Sequence, residues 1–146
     1  MEKTIIKVKR LSEFAKLPEY AHEGDAGLDL FSTVDAIIPA GESKLITTDI
    51  SLEMESGFEA QIRPRSGLAL KSGITVLNTP GTIDSGYRGP VGVIIINHSK
   101  VDFEVVKGMK IAQMVIARYI HADIIEVSDL TDTERAAGGF GSTGVK

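Results

Sequence analysis

Polar and apolar residues alternate with period two along much of the chain, the pattern of strands that bury one face. Thr48, Ile50, Leu52 and Met54 alternate with Asp49, Ser51, Glu53 and Glu55, and Phe58, Ala60 and Ile62 alternate with Glu59, Gln61 and Arg63. Ser56-Gly57 predicts the turn that joins these two strands. A first strand is predicted within Thr4 to Leu11, before Leu17-Pro18 breaks the pattern and a charged loop runs on to Gly24. The next strand enters through Gly27 and runs to Phe31, with Asp29 on the face opposite Leu28 and Leu30. Val91 to Ile96 and Ile111 to Ile116 are apolar on both faces, which predicts cover on both sides, by the core or by another subunit. Phe103 to Val106, Tyr119-Ile120 and Ile124 to Val127 add short strands to an all-β reading. No long helical period and no internal repeat interrupts it.

Two segments break the alternation in ways that suggest chemistry. Pro64 to Gly73 places Ser66 just before a Leu-Ala-Leu run that ends in glycine, which predicts a helix of one or two turns beginning at that serine. Free amides at such a helix start bind anions. Asn78-Thr79-Pro80-Gly81-Thr82-Ile83-Asp84-Ser85-Gly86-Tyr87-Arg88-Gly89-Pro90 lies between apolar segments Ile74 to Leu77 and Val91 to Ile96, and predicts a hairpin that holds a ligand. Gly81 and Gly89 lack a Cβ, so a flat molecule could lie against bare backbone there.

The chain has 146 residues, enough for one domain with its own core. The expected division is a β-barrel domain over 1–130 and an arm over 131–146, since the arm's glycines and polar residues cannot pack a core. Arg135, Ser142 and Thr143 are phosphate-binding residue types on that loose backbone, although the Walker pattern is absent. With 25% charged residues and a net charge of −4, nothing favours duplex nucleic acid or an anionic membrane as partner, and any phosphates must be met by local positive charge. There is no cysteine, hence no disulfide and no thiolate metal site, and His22, His98 and His121 lack ligand spacing. No apolar run approaches membrane-spanning length and the first residues lack a signal-peptide core, so the expectation is a soluble, cytoplasmic protein.

Five stretches, in order and spanning nearly the whole chain, closely resemble the dUTP pyrophosphatase (dUTPase) family: Ala26-Gly27-Leu28-Asp29-Leu30, Pro64 to Ala69, Asn78 to Gly89, Gly108 to Gln113, and Arg135 to Gly144. The family more often carries an acidic residue and arginine where Met109 and Lys110 stand, and often a glycine where Ala136 stands. The resemblance implies a jelly-roll-like β-barrel subunit in a homotrimer, with three active sites built from neighbouring chains. It implies hydrolysis of dUTP to dUMP and pyrophosphate with Mg²⁺, which limits uracil in DNA and supplies dUMP.

By the same mapping, Asp84 is the general base that activates water for attack on the α-phosphorus, and Asp29 holds the Mg²⁺ through water. Asn78, Gly81, Thr82, Ile83 and Tyr87 meet the uracil and deoxyribose, with Tyr87 excluding a 2′-hydroxyl and Phe140 stacking over the base. Arg65, Ser66, Gly67, Gln113, Arg135, Gly141, Ser142 and Thr143 hold phosphate oxygens. Ordinary chemistry is compatible with these roles, because an ionised aspartate accepts protons at neutral pH and magnesium uses few protein carboxylates. Two other functions fit a related fold: dCTP deamination, and nucleotide-responsive binding without catalysis. The hairpin sequence differs from the deaminase pattern, and the presence of Asp84 favours catalysis over binding alone.

Overall fold

The alternating segments become strands whose burial alternates in step with their sequence. In a computed structural model that describes residues 1–146, the order is β1 (Lys7–Arg10), β2 (Gly27–Phe31), β3 (Ala36–Ile38), β4 (Ser43–Thr47), β5 (Ile50–Glu53), β6 (Phe58–Arg63), α1 (Ser66–Ser72), β7 (Ile74–Val76), β8 (Gly81–Ile83), β9 (Gly92–Asn97), β10 (Phe103–Val105) and β11 (Lys110–Arg118). All strand pairs are antiparallel, in a four-stranded sheet β2-β11-β6-β8, a three-stranded sheet β4-β9-β7, and two pairs, β1-β5 and β3-β10. The jelly-roll-like all-β expectation holds.

One core joins these sheets. Ile38, Ile46, Ile50, Ile95, Val105 and Met114 come from six different strands and are all fully buried. Each contributes roughly 1.5–3 kcal/mol by leaving water. At the end of β9 the buried Asn97 ties three elements together. Its Nδ2 donates to the Ile38 and Val101 carbonyls at 3.0 and 2.8 Å, and its Oδ1 accepts from Ser99 N at 2.9 Å. A buried amide satisfied in this way costs little and fixes the sheet corner.

Several expectations change. β5 and β6 are consecutive across Ser56-Gly57, yet they do not pair: β5 pairs with β1, and β6 lies between β11 and β8. β9 buries alternate residues fully and leaves Ile94 and Ile96 only half-buried, and β11 leaves Val115 and Ile116 half-buried. The second apolar face of these strands is thus incompletely covered within one chain. Tyr119-Ile120 and Ile124 to Val127 form no strand. The last strand ends at Arg118, and Ile120 and Ile124 are 95% and 90% exposed. β-branched residues favour a strand, but only where a neighbouring edge accepts their hydrogen bonds, and this chain offers them none. No helix is long and apolar enough to cross a membrane.

Candidate active site

The stretch 78–90 is more than a tight hairpin. The strands that flank it do pair, β7 with β9, but the chain between them crosses to the other sheet and adds β8 beside β6 (Gly81↔Ile62, Ile83↔Ala60). β8 pairs only with β6, so it is an edge strand whose outer backbone groups have no strand partner. The expectation of open backbone is corrected at Gly89, where a Cβ would overlap the Tyr87 ring, whereas a Cβ on Gly81 would only come into ordinary contact with Asn78 Nδ2 and Ile62. Tyr87 itself is exposed and donates its hydroxyl to the Pro90 carbonyl at 3.0 Å. Asp84 follows β8 directly, is exposed, and its carbonyl accepts from Tyr87 N in a turn at 3.1 Å.

A separate cleft of about 380 Å³ opens at the far end of β6. Register places Gln113 on β11 between Asp29 on β2 and Arg63 on β6. Arg65, Ser66 and Gly67, where β6 gives way to α1, complete the wall together with Lys110. Ser66 is the first residue of α1 rather than its cap. Arg65 is the capping residue, with extended backbone (φ −91°, ψ 131°) and no side-chain cap, while Gly73 closes the helix in the left-handed conformation (φ 64°) as expected. The Ser66 hydroxyl is therefore not engaged in capping.

Asp29 is only 8% exposed, in contrast to a solvated strand aspartate. Lys110 Nζ lies 2.8 Å from its Oδ2, and Arg65 Nε lies 3.7 Å from its Oδ1. The lysine contact balances charge, but it is poorly aligned as a hydrogen bond, so Oδ2 has no properly directed donor. Arg65 also donates to the Lys110 carbonyl through Nη1 at a long 3.4 Å. Its Nη2 is not used in either contact and is available to an anion. With Arg63, Arg65 and Lys110 against Asp25 and Asp29, the cleft has the local positive balance that an acidic chain needs to hold phosphate.

Gln113 is fixed by donating Nε2 to the Pro64 carbonyl at 3.0 Å, and its Oε1 occupies the space where a Cβ on Gly27 would stand. Gly27→Ala is therefore expected to displace this side chain. We expect KM for a nucleoside triphosphate to rise about tenfold, since one lost hydrogen bond to a charged group costs about 1.5 kcal/mol. Steady-state kinetics beside a thermal melt would check it, and an unchanged KM would separate Gln113 from phosphate binding.

Five of the expected residues thus meet in one cleft: Asp29, Arg65, Ser66, Gly67 and Gln113. Asn78, Thr82, Ile83, Asp84 and Tyr87 do not line it, and neither do Arg135, Phe140, Gly141, Ser142 and Thr143. Asp84 follows the Ile83↔Ala60 pair, about four residues along β6 from Arg63, and three strand spacings separate β8 from β2. At strand rise and spacing, that puts Asp84 and Asp29 roughly 20 Å apart within one chain. Arg63 and Lys110 were not among the expected phosphate residues, although the charge argument could have found both.

A dUTPase family model matches residues 13–144. The deoxyuridine 5'-triphosphate nucleotidohydrolase of Alkaliphilus metalliredigens is 63% identical over 141 residues, covering 97% of this chain and 98% of that protein. Among solved structures, a Staphylococcus bacteriophage 80alpha dUTPase variant with dUpNHpp superposes with a TM-score of 0.92 at 27% identity, covering 98% of this chain and 100% of that one. A variant of the dUTPase from phage phi11 of S. aureus, described with a structural Mg(II) ion, gives 0.81 at 27% identity over 88% of this chain and 99% of that one. The cleft, the edge strand bearing Asp84 and a match along nearly the whole sequence agree: the chain belongs to the dUTPase family.

Proposed function

We propose that this protein hydrolyses dUTP to dUMP and pyrophosphate at sites shared between the chains of a homotrimer. The observation that carries the shared site is the separation just described. The groups suited to phosphate and the carboxylate suited to activating water stand at opposite ends of β6, too far apart to serve one nucleotide within one chain. A second chain brings its β8 edge to the cleft of the first. Two further features favour assembly: the half-covered faces of β9 and β11, and the exposed Ile120, Ile124, Ile125, Val127 and Leu130 in the segment after β11. Three chains give three such sites.

In this reading Arg65, Ser66, Gly67 and Gln113 bind and orient the triphosphate. Asp84 takes a proton from a water molecule, that water attacks the α-phosphorus, and pyrophosphate leaves in line. Uracil lies along the free edge of β8, where backbone groups of Gly81, Thr82 and Ile83 and the side chain of Asn78 meet its polar edge. Cytosine presents an amino group where uracil has a carbonyl, leaving a donor unpaired; sites of this kind discriminate by roughly 10⁴ or more. Tyr87, held by its bond to Pro90, packs on the deoxyribose and leaves no space for a 2′-hydroxyl.

Asp29 fits a magnesium ion held through water. It is a single carboxylate on the wall of the cleft that also holds Arg65, Ser66 and Gln113, and no group of three or more potential ligands surrounds it. Such a site suits an ion that keeps most of its water and takes other ligands from phosphate. When bound, Mg²⁺ supplies charge neutralisation for the triphosphate. Residues 131–146 then close as an arm, with Phe140 over the base and Arg135, Gly141, Ser142 and Thr143 on the phosphates.

One assay separates this reading from its rivals. Incubated with Mg²⁺, the protein is expected to release pyrophosphate from dUTP and no ammonia from dCTP, with a light-scattering mass of three chains. Ammonia from dCTP would assign a deaminase, and nucleotide binding with neither product a sensor. A monomer active on dUTP would overturn the shared site.

A further inference from the structure

Between β8 and β9 the chain leaves the sheets for a turn at the surface, and that turn carries Asp84. Its two ends are pinned to the core: Ile83 pairs with Ala60 on β6, and Val91 N donates to the Ile50 carbonyl on β5 at 2.8 Å. Tyr87 N closes the turn by donating to the Asp84 carbonyl at 3.1 Å. Asp84 itself is exposed, so no core packing holds its side chain and its direction follows from the backbone that carries it.

Arg88 reaches back over this turn. Its Nη1 donates to the Ser85 carbonyl at 2.7 Å and to the Tyr87 carbonyl at a longer 3.3 Å. Its Nη2 lies 3.8 Å from Glu53 Oε1, and Lys7 Nζ lies 2.7 Å from the other oxygen of that carboxylate. Glu53 and Lys7 are register partners on β5 and β1, and β5 buries Ile50 and Leu52 in the core. One planar guanidinium thus joins the residue after Asp84 to a strand fixed in the core, a geometry that an arginine fork provides and a lysine ammonium does not. These contacts are exposed, and water replaces exposed ion pairs at little cost, so the clamp adds little to stability. What it adds is order in the turn.

We propose that Arg88 is a positioning residue for hydrolysis, clamping the turn from Asp84 to Tyr87 onto β5 and so fixing the direction in which Asp84 presents its carboxylate. This rests on the reading of Asp84 as the base, and it gives Arg88 no contact with the nucleotide. A shift of about 1 Å in a reacting group can cost on the order of 10²-fold. The turn keeps its β8 ladder and its Tyr87–Asp84 bond when the clamp is lost, so the expected loss is smaller, about tenfold in kcat.

The test compares Arg88→Met, Arg88→Lys and Glu53→Gln in the full-length enzyme with dUTP and Mg²⁺, with Arg88→Met also combined with Asp84→Asn. Supporting results for Arg88→Met are a kcat about tenfold lower, unchanged KM, melting temperature and binding of a non-hydrolysable dUTP analogue, and no further loss in the Asp84→Asn background. A smaller loss is expected in Arg88→Lys, which keeps a donor for the Ser85 carbonyl, and in Glu53→Gln, which keeps the arginine but not the ion pair. An intact kcat in Arg88→Met beside an inactive Asp84→Asn overturns the positioning role and leaves the base in place. The same factor lost in the Asp84→Asn background overturns it too, as does a fall in melting temperature or analogue binding that matches the fall in rate. Near-normal turnover in Asp84→Asn removes the base and the positioning role with it. If Arg88→Met does not fold, Glu53→Gln decides by the same criteria.

Discussion

Asp84→Asn is expected to lower kcat by roughly 10²- to 10⁴-fold, the range that general-base assistance supplies. The substitution preserves shape and removes only the ability to accept a proton. Because Asp84 is exposed, the melting temperature should stay within the small changes typical of surface substitutions. Binding of a non-hydrolysable dUTP analogue should be equal to the parent's or tighter, since a negative charge facing a triphosphate is removed. Pyrophosphate release and calorimetry on the same preparation check the two halves separately. Near-normal turnover would take Asp84 out of the mechanism, and lost binding with lost turnover would make it a ligand contact.

How much of this was legible in the sequence depends on the distance over which each signal acts. β5 and β6 were readable because alternation is local and both strands bury one face. β3 and β4 left no such signal: Ala36-Ile37-Ile38 is too short to show a period, and in β4 only Ile46 is fully buried. Gly73 was readable as a helix stop because a left-handed residue there needs no Cβ. Ser66 was readable as the first residue of the helix, although the capping backbone before it belongs to Arg65, which has no capping side chain.

The candidate site divides in the same way. Residue types and order marked Asp29, Arg65, Ser66, Gln113 and Asp84, but local pattern could not show that Lys110 and Arg65 fold over Asp29 and bury it. That burial joins β2, β11 and the start of α1, segments far apart along the chain. The open backbone expected at Gly89 failed for the opposite reason. Tyr87, two residues away, folds back over it, and turn composition does not reveal where a neighbouring ring will lie.

Deleting residues 135–146 is expected to leave a folded trimer with kcat/KM for dUTP lower by roughly 10²- to 10⁴-fold. A charge-assisted phosphate contact and a base-stacking ring are worth about 1.5–3 and 1–3 kcal/mol respectively, and these together set that scale. Folding should survive because the arm gives the core no buried residue, and its hydrogen bonds, such as Gly138 N to the Arg135 carbonyl at 3.0 Å, span only three residues. Ala136 and Phe140 also hold left-handed backbone, φ 46° and 48°, a costly conformation for residues with a Cβ. An unaltered rate after truncation would refute the closing arm. Mixing then tests the shared site. When truncated chains are unfolded and refolded together with Asp84→Asn chains in equal amounts, activity should recover to about a quarter of the parent's, because a quarter of sites draw an intact Asp84 from one chain and an intact arm from another. Sites contained within single chains would show no recovery, since every chain in the mixture lacks one of the two parts.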